Sequence, residues 1–350
     1  MNGVPVVPRV SIGLPVRNGE RYICQAMDAL RSQTLEDFEL IISDNASSDA
    51  TRAICQDYAA RDARVRYHRN ATNVGPAENY NRCFRLARAP YFKWAAHDDI
   101  CLPTYLQQCV AVLERDPGVV NCHTRTRVID EAGDGVGDYE VRLRTDAPQP
   151  HVRFGHFINV PHRRHVGYEV FGVMRRDAMA RVPEQGAYAH ADRVFLARMC
   201  LLGRFCEVDE PLFLARRHAK QSMAYRAGAG LRAMLAPYVG VGPLPPPEWW
   251  DASQAGRITF PDWNLLCEYV RSVRDAPLSA SERARCRLAI LRWLLKYWPK
   301  LARDVVFAAE RLLTRPRPGA AATAAAATAR RRPAGAEDPV AEDGQAAVEI

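Results

Sequence analysis

A chain of 350 residues with 48% hydrophobic and 25% charged content has the makeup of a globular protein, enough for one large domain or two small ones, and excludes a wholly disordered, collagenous or small disulfide-framed chain. The net charge of +8 is local: ten basic residues face only Asp304 and Glu310 between Arg283 and Arg317, so the rest sums to zero and no nucleic-acid groove is expected across the body. No run approaches roughly 18 consecutive apolar residues, and the start MNGVPVVPRVSIGLP lacks the basic and apolar regions of a secretory signal, so the chain reads as cytoplasmic.

Val10–Pro15 is a short apolar run ending at proline, the pattern of a buried strand. Asn18–Leu30 spaces Tyr22, Ile23, Ala26, Met27 and Leu30 as a helix does. Phe38–Ser43 reads as a second strand, after which Ser48-Asp49 caps a helix to about Ala60. Val65–His68 is a third strand, Ala77–Ala87 a helix and Tyr91–Ala95 a fourth strand. This β-α-β-α rhythm predicts an α/β fold, a parallel sheet with helices on both faces and a ligand site along one edge of strand ends.

Beyond Gly118 the pattern loosens. Val119–His123, Thr126–Ile129 and Val170–Met174 read as short strands, Gly133–Asp138 as a turn and Arg193–Leu202 as a helix. The stretch 145–168 reads as a loop that orders around a ligand. Its His151, His156, His162 and His165 lack ligand spacing and suit acceptor binding better than a metal. Residues 228–262 read as an irregular connector, in which Trp249-Trp250 and the aromatics of 260–269 are core packing rather than a sugar platform. Leu288–Leu313 is a long helical region interrupted at Pro299. From Pro316 the Ala/Pro/Arg composition cannot form a core. The ten cysteines form no C-x-x-C pair and read as reduced, buried hydrophobes. The resulting division is a catalytic domain over 1–225, a connector with a basic amphipathic helical extension over 226–314, and a disordered tail over 315–350.

Carboxylates mark the candidate chemistry. Asp44 directly follows the second strand, Asp98-Asp99 follow the fourth, and Asp192 opens the helix to Leu202. Asp44 alone fits a turn as well as a ligand contact, and Asp192 alone fits an N-cap. Adjacent aspartates at a strand end repel each other unless exposed or offset by a divalent cation, and Mg²⁺ or Mn²⁺ characteristically takes one or two carboxylates plus substrate phosphates.

With these motifs in view, VSIGLPVRNGE (10–20), LIISDNASSDAT (40–51), NVGPAENYN (73–81), YFKWAAHDD (91–99), FGVMRRDAM (171–179), ADRVFLARMCLLGRF (191–205) and RRHAKQS (216–222), taken in this order and spacing over about 9–225, the chain resembles the inverting family 2 glycosyltransferases of GT-A fold. The resemblance implies a mostly parallel sheet flanked by helices, a nucleoside-diphosphate sugar donor (UDP-sugars being the usual choice), Mn²⁺ or Mg²⁺, and a saccharide, lipid-linked or protein acceptor in polysaccharide or glycoconjugate synthesis. It implies that Pro15, Val16, Arg17, Asn18 and Glu20 border the nucleotide, with Asn73 and Asn79 also on the donor. Asp44 would accept from a base N–H and Asp98 would lie near the ribose and diphosphate. Asp99 would hold the metal, joined by Asp98 and His218, and Asp192 would be the general base. Arg216, Arg217, His218 and Lys220 would lie near the diphosphate, with Arg217 as a binding residue.

The chain departs from the family pattern at three places. His97 stands where the metal motif usually begins with Asp, which puts that position's role in question. Arg17 replaces the usual aromatic after Pro-Val, and Ala191 replaces a carboxylate before the base. A sugar-phosphate nucleotidyltransferase would need a Gly-rich basic first loop, whereas PVRNGE has one glycine and one arginine. A non-catalytic membrane-docked scaffold is the other alternative, against which the three retained carboxylate sites argue. The basic, Trp-bearing segment 283–317 leaves two readings open: adsorption to an anionic membrane at the inner face of the cell membrane, or a helix packed on the domain with a solvated basic face.

Overall fold

The strands Val10–Val16 (β1) and Phe38–Asp44 (β2) bury every residue, as central parallel strands covered on both faces must. The computed structural model describes residues 7–161, 164–219 and 245–314. Between these strands lies Ile23–Arg31 (α1). After them come Thr51–Arg61 (α2), Val65–Arg69 (β3), Pro76–Leu86 (α3) and Tyr91–Trp94 (β4). β1 pairs in parallel with β2 and β4, and β2 with β3, so Val16, Asp44 and Arg69 end side by side.

The second half makes the sheet mixed. Ile100–Cys101 (β5), Tyr105–Arg115 (α4), Val119–Ile129 (β6), Gly135–Tyr139 (β7), Pro150–Asn159 (α5), Val173–Arg175 (β8), Arg176–Met179 (α6), Ala191–Leu202 (α7) and Arg204–Arg216 (β9) follow in order. The sheet runs β3-β2-β1-β4-β8-β6-β9-β5, with β7 beside β6. β8 lies antiparallel to both β4 and β6, and β6 runs parallel to β9. β5 joins Ile100 to Leu214 on β9, which returns the chain after β4 to the end of β9.

Five expectations are corrected. The two strands around Arg125 are one, β6, and the Gly/Asp turn at 133–138 is largely β7, paired with Arg127 and Val128. The 145–168 loop contains α5, whose Phe154, Phe157 and Ile158 bury one side. Helix α1 starts at Ile23 rather than Asn18, because Asn18 has a φ of 55° and turns the chain. Helix α2 begins at Thr51 with Ala50 as its N-cap, one residue past the expected Asp49 cap.

Each sheet face has its own core: Ile12, Leu14, Leu40, Leu106 and Phe213 on one, and Phe92, Trp94, Phe154, Phe195, Tyr269 and Trp293 on the other. The C-terminal helices are Pro247–Trp250 (α8), Pro261–Asp275 (α9) and Ala280–Thr314 (α10), and Tyr269 and Trp293 bring α9 and α10 into the second core. Pro299 lies inside α10 without ending it, since Trp293 and Leu301 are buried on either side. Helices α9 and α10 thus complete the core on that face of the sheet. Trp293→Ala should therefore cost about 3–5 kcal/mol in a denaturant titration of the whole chain; an unchanged midpoint would mean that α10 folds apart. The ten cysteines are free. Among the described residues no helix is long and apolar enough to cross a membrane.

Candidate active site

The turn after β1 is laced to the turn after β2. Asn18 N–H donates to Ser47 Oγ at 2.9 Å, and Ser48 N–H donates back to Asn18 Oδ1 at 2.9 Å. Glu20 N–H donates to Asp49 Oδ2, while Glu20 Oε2 accepts from Ala50 N–H at 2.8 Å at the start of α2. Asn18 and Glu20 thus shape the rim by holding two loops together. Pro15 and Val16 are buried strand residues at that rim. Arg17 differs: its Nε is buried with no hydrogen-bond partner among the described residues, a donor held ready beside the crevice.

Asp44 is fully buried. Its Oδ1 accepts from Ser47 N–H at 2.8 Å, its Oδ2 accepts from the Tyr67 hydroxyl at 2.6 Å, and Arg69 Nε lies 3.4 Å away. Asn73 is exposed and accepts from Asn45 and from Gly75 N–H, fixing the loop before α3. The expected donor contact of Asn79 is corrected. It is 2% exposed, its Oδ1 accepts from Ser43 and Asn70, and its Nδ2 donates to Ser43 O, so it ties α3 to β2 inside the domain.

The dense part of the site lies where β4, β5 and β9 meet. Asp99 Oδ1 accepts from Arg216 N–H at 2.9 Å, and His218 Nε2 donates to Asp98 Oδ2 at 2.9 Å. Burial and the neighbouring Asp98 charge push the Asp99 carboxyl well above its ordinary range, against the pull of the Arg216 N–H and of Lys93. Burial works against ionisation of Asp98 as well, but the His218 hydrogen bond and the charges of His97 and His218 hold its carboxyl low. Lys93 is itself fully buried, donating to Phe171 O at 2.7 Å over the Tyr105 ring.

Arg216 is not a diphosphate ligand in this arrangement. Its guanidinium donates to the carbonyls of Asp98, Asp130 and Glu131 and to Gln25 Oε1, and it stacks over Tyr22 at 4.7 Å. It clamps the carboxylate loop. Arg217 is exposed, with its backbone fixed on Ile129 O, and its side chain lies by the Tyr168 hydroxyl. Lys220 and His162 lie outside the described residues.

Asp192 is not the N-cap of α7. His190, with a φ of 69°, holds that position, and Asp192 sits in the first turn with Oδ1 accepting from Arg193 N–H at 2.7 Å. Arg193 is locked by Tyr269, Phe157 O, Val160 O and His165, and His165 in turn donates to Glu169 at 3.0 Å. His165 is therefore a buried strut, while His151 and His156 ride on α5, so the expected histidine loop does not exist as a unit.

Sequence reasoning missed Tyr80. Burial raises its phenol, and the charges of Asp98, Asp99 and Asp192 raise it further. Its only sequence signal was membership of the NVGPAENYN stretch, where nothing distinguishes it from core tyrosines.

The carboxylate pair suits a divalent cation: a buried like-charge pair with one member forced toward its neutral form is what an ion of charge +2 would relieve. His218, the third member of the expected ligand set, stands beside the pair. His218 is bonded directly to Asp98, and among the described residues no three His, Cys, Asp or Glu side chains converge on a metal position. An ion would rest on Asp99 and Asp98 and draw its other ligands from substrate.

Gly19 marks how tightly the rim is built. A Cβ there would stand 2.7 Å from both the His97 ring and Val16 Cγ2, and His97 is 1% exposed. Gly19→Ala should cost about 1–3 kcal/mol of stability and weaken donor binding by displacing the Arg17 turn; thermal unfolding and a calorimetric donor titration measure both.

Residues 11–182 match the family model described as Glycosyl transferase family 2. EpsE of Bacillus subtilis, named as a candidate glycosyltransferase, is 33% identical over 127 residues, 36% of this chain and 46% of that one. An uncharacterized protein of Mycobacterium tuberculosis is 32% identical over 211 residues, 58% of this chain and 57% of its own length. The chain thus spans about half the length of each of these relatives. The structure of S. aureus TarS 1–349 in complex with UDP-GlcNAc superposes with a TM-score of 0.50 at 14% identity, covering 84% of this chain and 90% of that one, a likeness of fold.

Proposed function

Residues 11–182 make this chain a member of glycosyl transferase family 2, and on that premise we propose that it moves a sugar from a nucleoside-diphosphate donor, a UDP-sugar, to an acceptor hydroxyl in one inverting displacement. The acceptor class is a saccharide, free, lipid-linked or on a protein. The observation that carries this reading is the buried Asp98-Asp99 pair after β4, held against the end of β9 by the Arg216 N–H and by His218.

Each residue then has a task. The linked turns after β1 and β2 border the nucleotide, with the unpartnered Arg17 Nε donating to it and Asp44 holding the second turn in shape. Asp98 and Asp99 would hold Mn²⁺ or Mg²⁺, which supplies positive charge for the departing diphosphate. Arg217 offers a guanidinium to the same phosphates. Asp192 takes the proton from the acceptor hydroxyl as that oxygen attacks the anomeric carbon opposite the leaving group. One displacement needs no enzyme nucleophile. Early ¹H NMR spectra of the sugar released by donor hydrolysis test this: the inverted anomer is expected, and the retained anomer would overturn the single displacement.

A further inference from the structure

Helix α10 carries two adjoining apolar faces, their centres about 120° apart around the helix axis. One side, with Ile290, Trp293, Tyr297 and Leu301, is buried in the domain core. The other carries Leu288, Leu291, Leu295, Trp298, Val305 and Leu312, all exposed, Leu295 by 69% and Trp298 by 61%. Their steps of three, four and seven residues place them within an arc of about 120° at a helical 100° per residue. The outward arc of a water-facing helix is polar; this one presents leucine and tryptophan over about seven turns. Exposed Arg285, Arg292 and Lys296 run along one flank of the arc. The sequence left open whether this segment packs on the domain or meets a membrane. The packed face and the free face adjoin without overlapping, so one does not preclude the other.

We propose that α10 docks the protein on an anionic lipid surface. The Leu288–Leu312 arc enters the headgroup boundary, and Arg285, Arg292 and Lys296 meet the lipid phosphates. Charge complementarity selects this occupant. A second copy of the chain would bring the same basic flank against itself, with acidic compensation limited to Glu310 and Glu282, since Asp304 is buried against Asp262. The docked arc is far from a spanning element, in keeping with the lack of a membrane-crossing helix among the described residues.

The test is co-sedimentation of the full chain with vesicles of phosphatidylcholine alone and of equal parts phosphatidylcholine and phosphatidylglycerol. Binding to the anionic vesicles only, weakened by salt, is expected. Leu295→Ser combined with Trp298→Ser should weaken it at least about tenfold, the scale of losing two buried apolar side chains, with the thermal unfolding midpoint unchanged. Arg285→Glu combined with Arg292→Glu should weaken it as well, keeping the test open if the first pair misfolds. Equal vesicle binding by both double variants would overturn the proposal. So would absence of vesicle binding, including the case in which sedimentation velocity shows a dimer that the Leu295/Trp298 variant breaks, which would assign the arc to a second copy.

Discussion

Asp192→Asn is expected to bind the nucleotide sugar with an unchanged Kd while its kcat for transfer falls by about 10²–10⁴-fold, the range for loss of a positioned general base. The site geometry makes this a clean substitution. The Asp192 Oδ1 contact with Arg193 N–H can be kept by an amide oxygen, and the shape of the first turn of α7 is unaltered. Around it, Gly167 has a φ of 89°, and a Cβ there would lie 3.9 Å from Asp192 Oδ2, so the neighbouring turn already leaves room beside that oxygen. What the amide cannot do is accept a proton. Steady-state kinetics paired with calorimetry separates the two effects, and a variant with full rate would remove Asp192 from the reaction.

The second large effect is expected at Asp99. Asp99→Ala should abolish donor turnover, a loss of at least about 10³-fold if charge neutralisation at the leaving diphosphate supplies several kcal/mol. Alanine also strips the Arg216 N–H of its acceptor, so Asp99→Asn is the sharper variant, keeping that hydrogen bond while losing the charge. Both variants should respond no further to EDTA, whereas EDTA should silence the native chain. Metal affinity should fall as pH drops, because the raised Asp99 carboxyl gains its proton early and binding must displace it. Persistent turnover in either variant, or in EDTA, would separate the aspartate pair from the metal.

The first four strands were legible because central parallel strands leave unbroken apolar runs, and VSIGLP and FELIIS are such runs. The later elements were hidden by local conflicts with their final state. Helix α5 begins with Pro150 and carries Gly155 and two histidines, so its buried Phe154, Phe157 and Ile158 did not stand out. Strand β9 mixes half-buried Arg204 and exposed Glu207, Asp209 and Glu210 into its first half, which erases an apolar run, and only its pairing with β6 makes it a strand. β7 reads as a turn because its glycines and Asp138 suit one; Arg127 and Asp138 pair across it.

The site divides the same way. Asp98, Asp99 and Asp192 could be singled out as candidates because charge at a strand end or helix start is visible in sequence. The spent groups could not. Whether Asn79 or Arg216 faces a ligand depends on partners 9 to 191 residues away, which only the folded chain brings together. Tyr80 was invisible for the complementary reason: its burial and the carboxylate charges that act on it arise entirely from tertiary structure.

The central claim is turnover of a nucleoside-diphosphate sugar at the aspartate site. Its most direct test incubates the full chain with a panel of nucleotide sugars and Mn²⁺ and reads released nucleoside diphosphate, since hydrolysis needs no acceptor. Release from one donor, lost in EDTA and in Asp99→Asn, is the predicted result. No release from any donor, with pyrophosphate appearing instead from a sugar phosphate and a nucleoside triphosphate, would contradict the account.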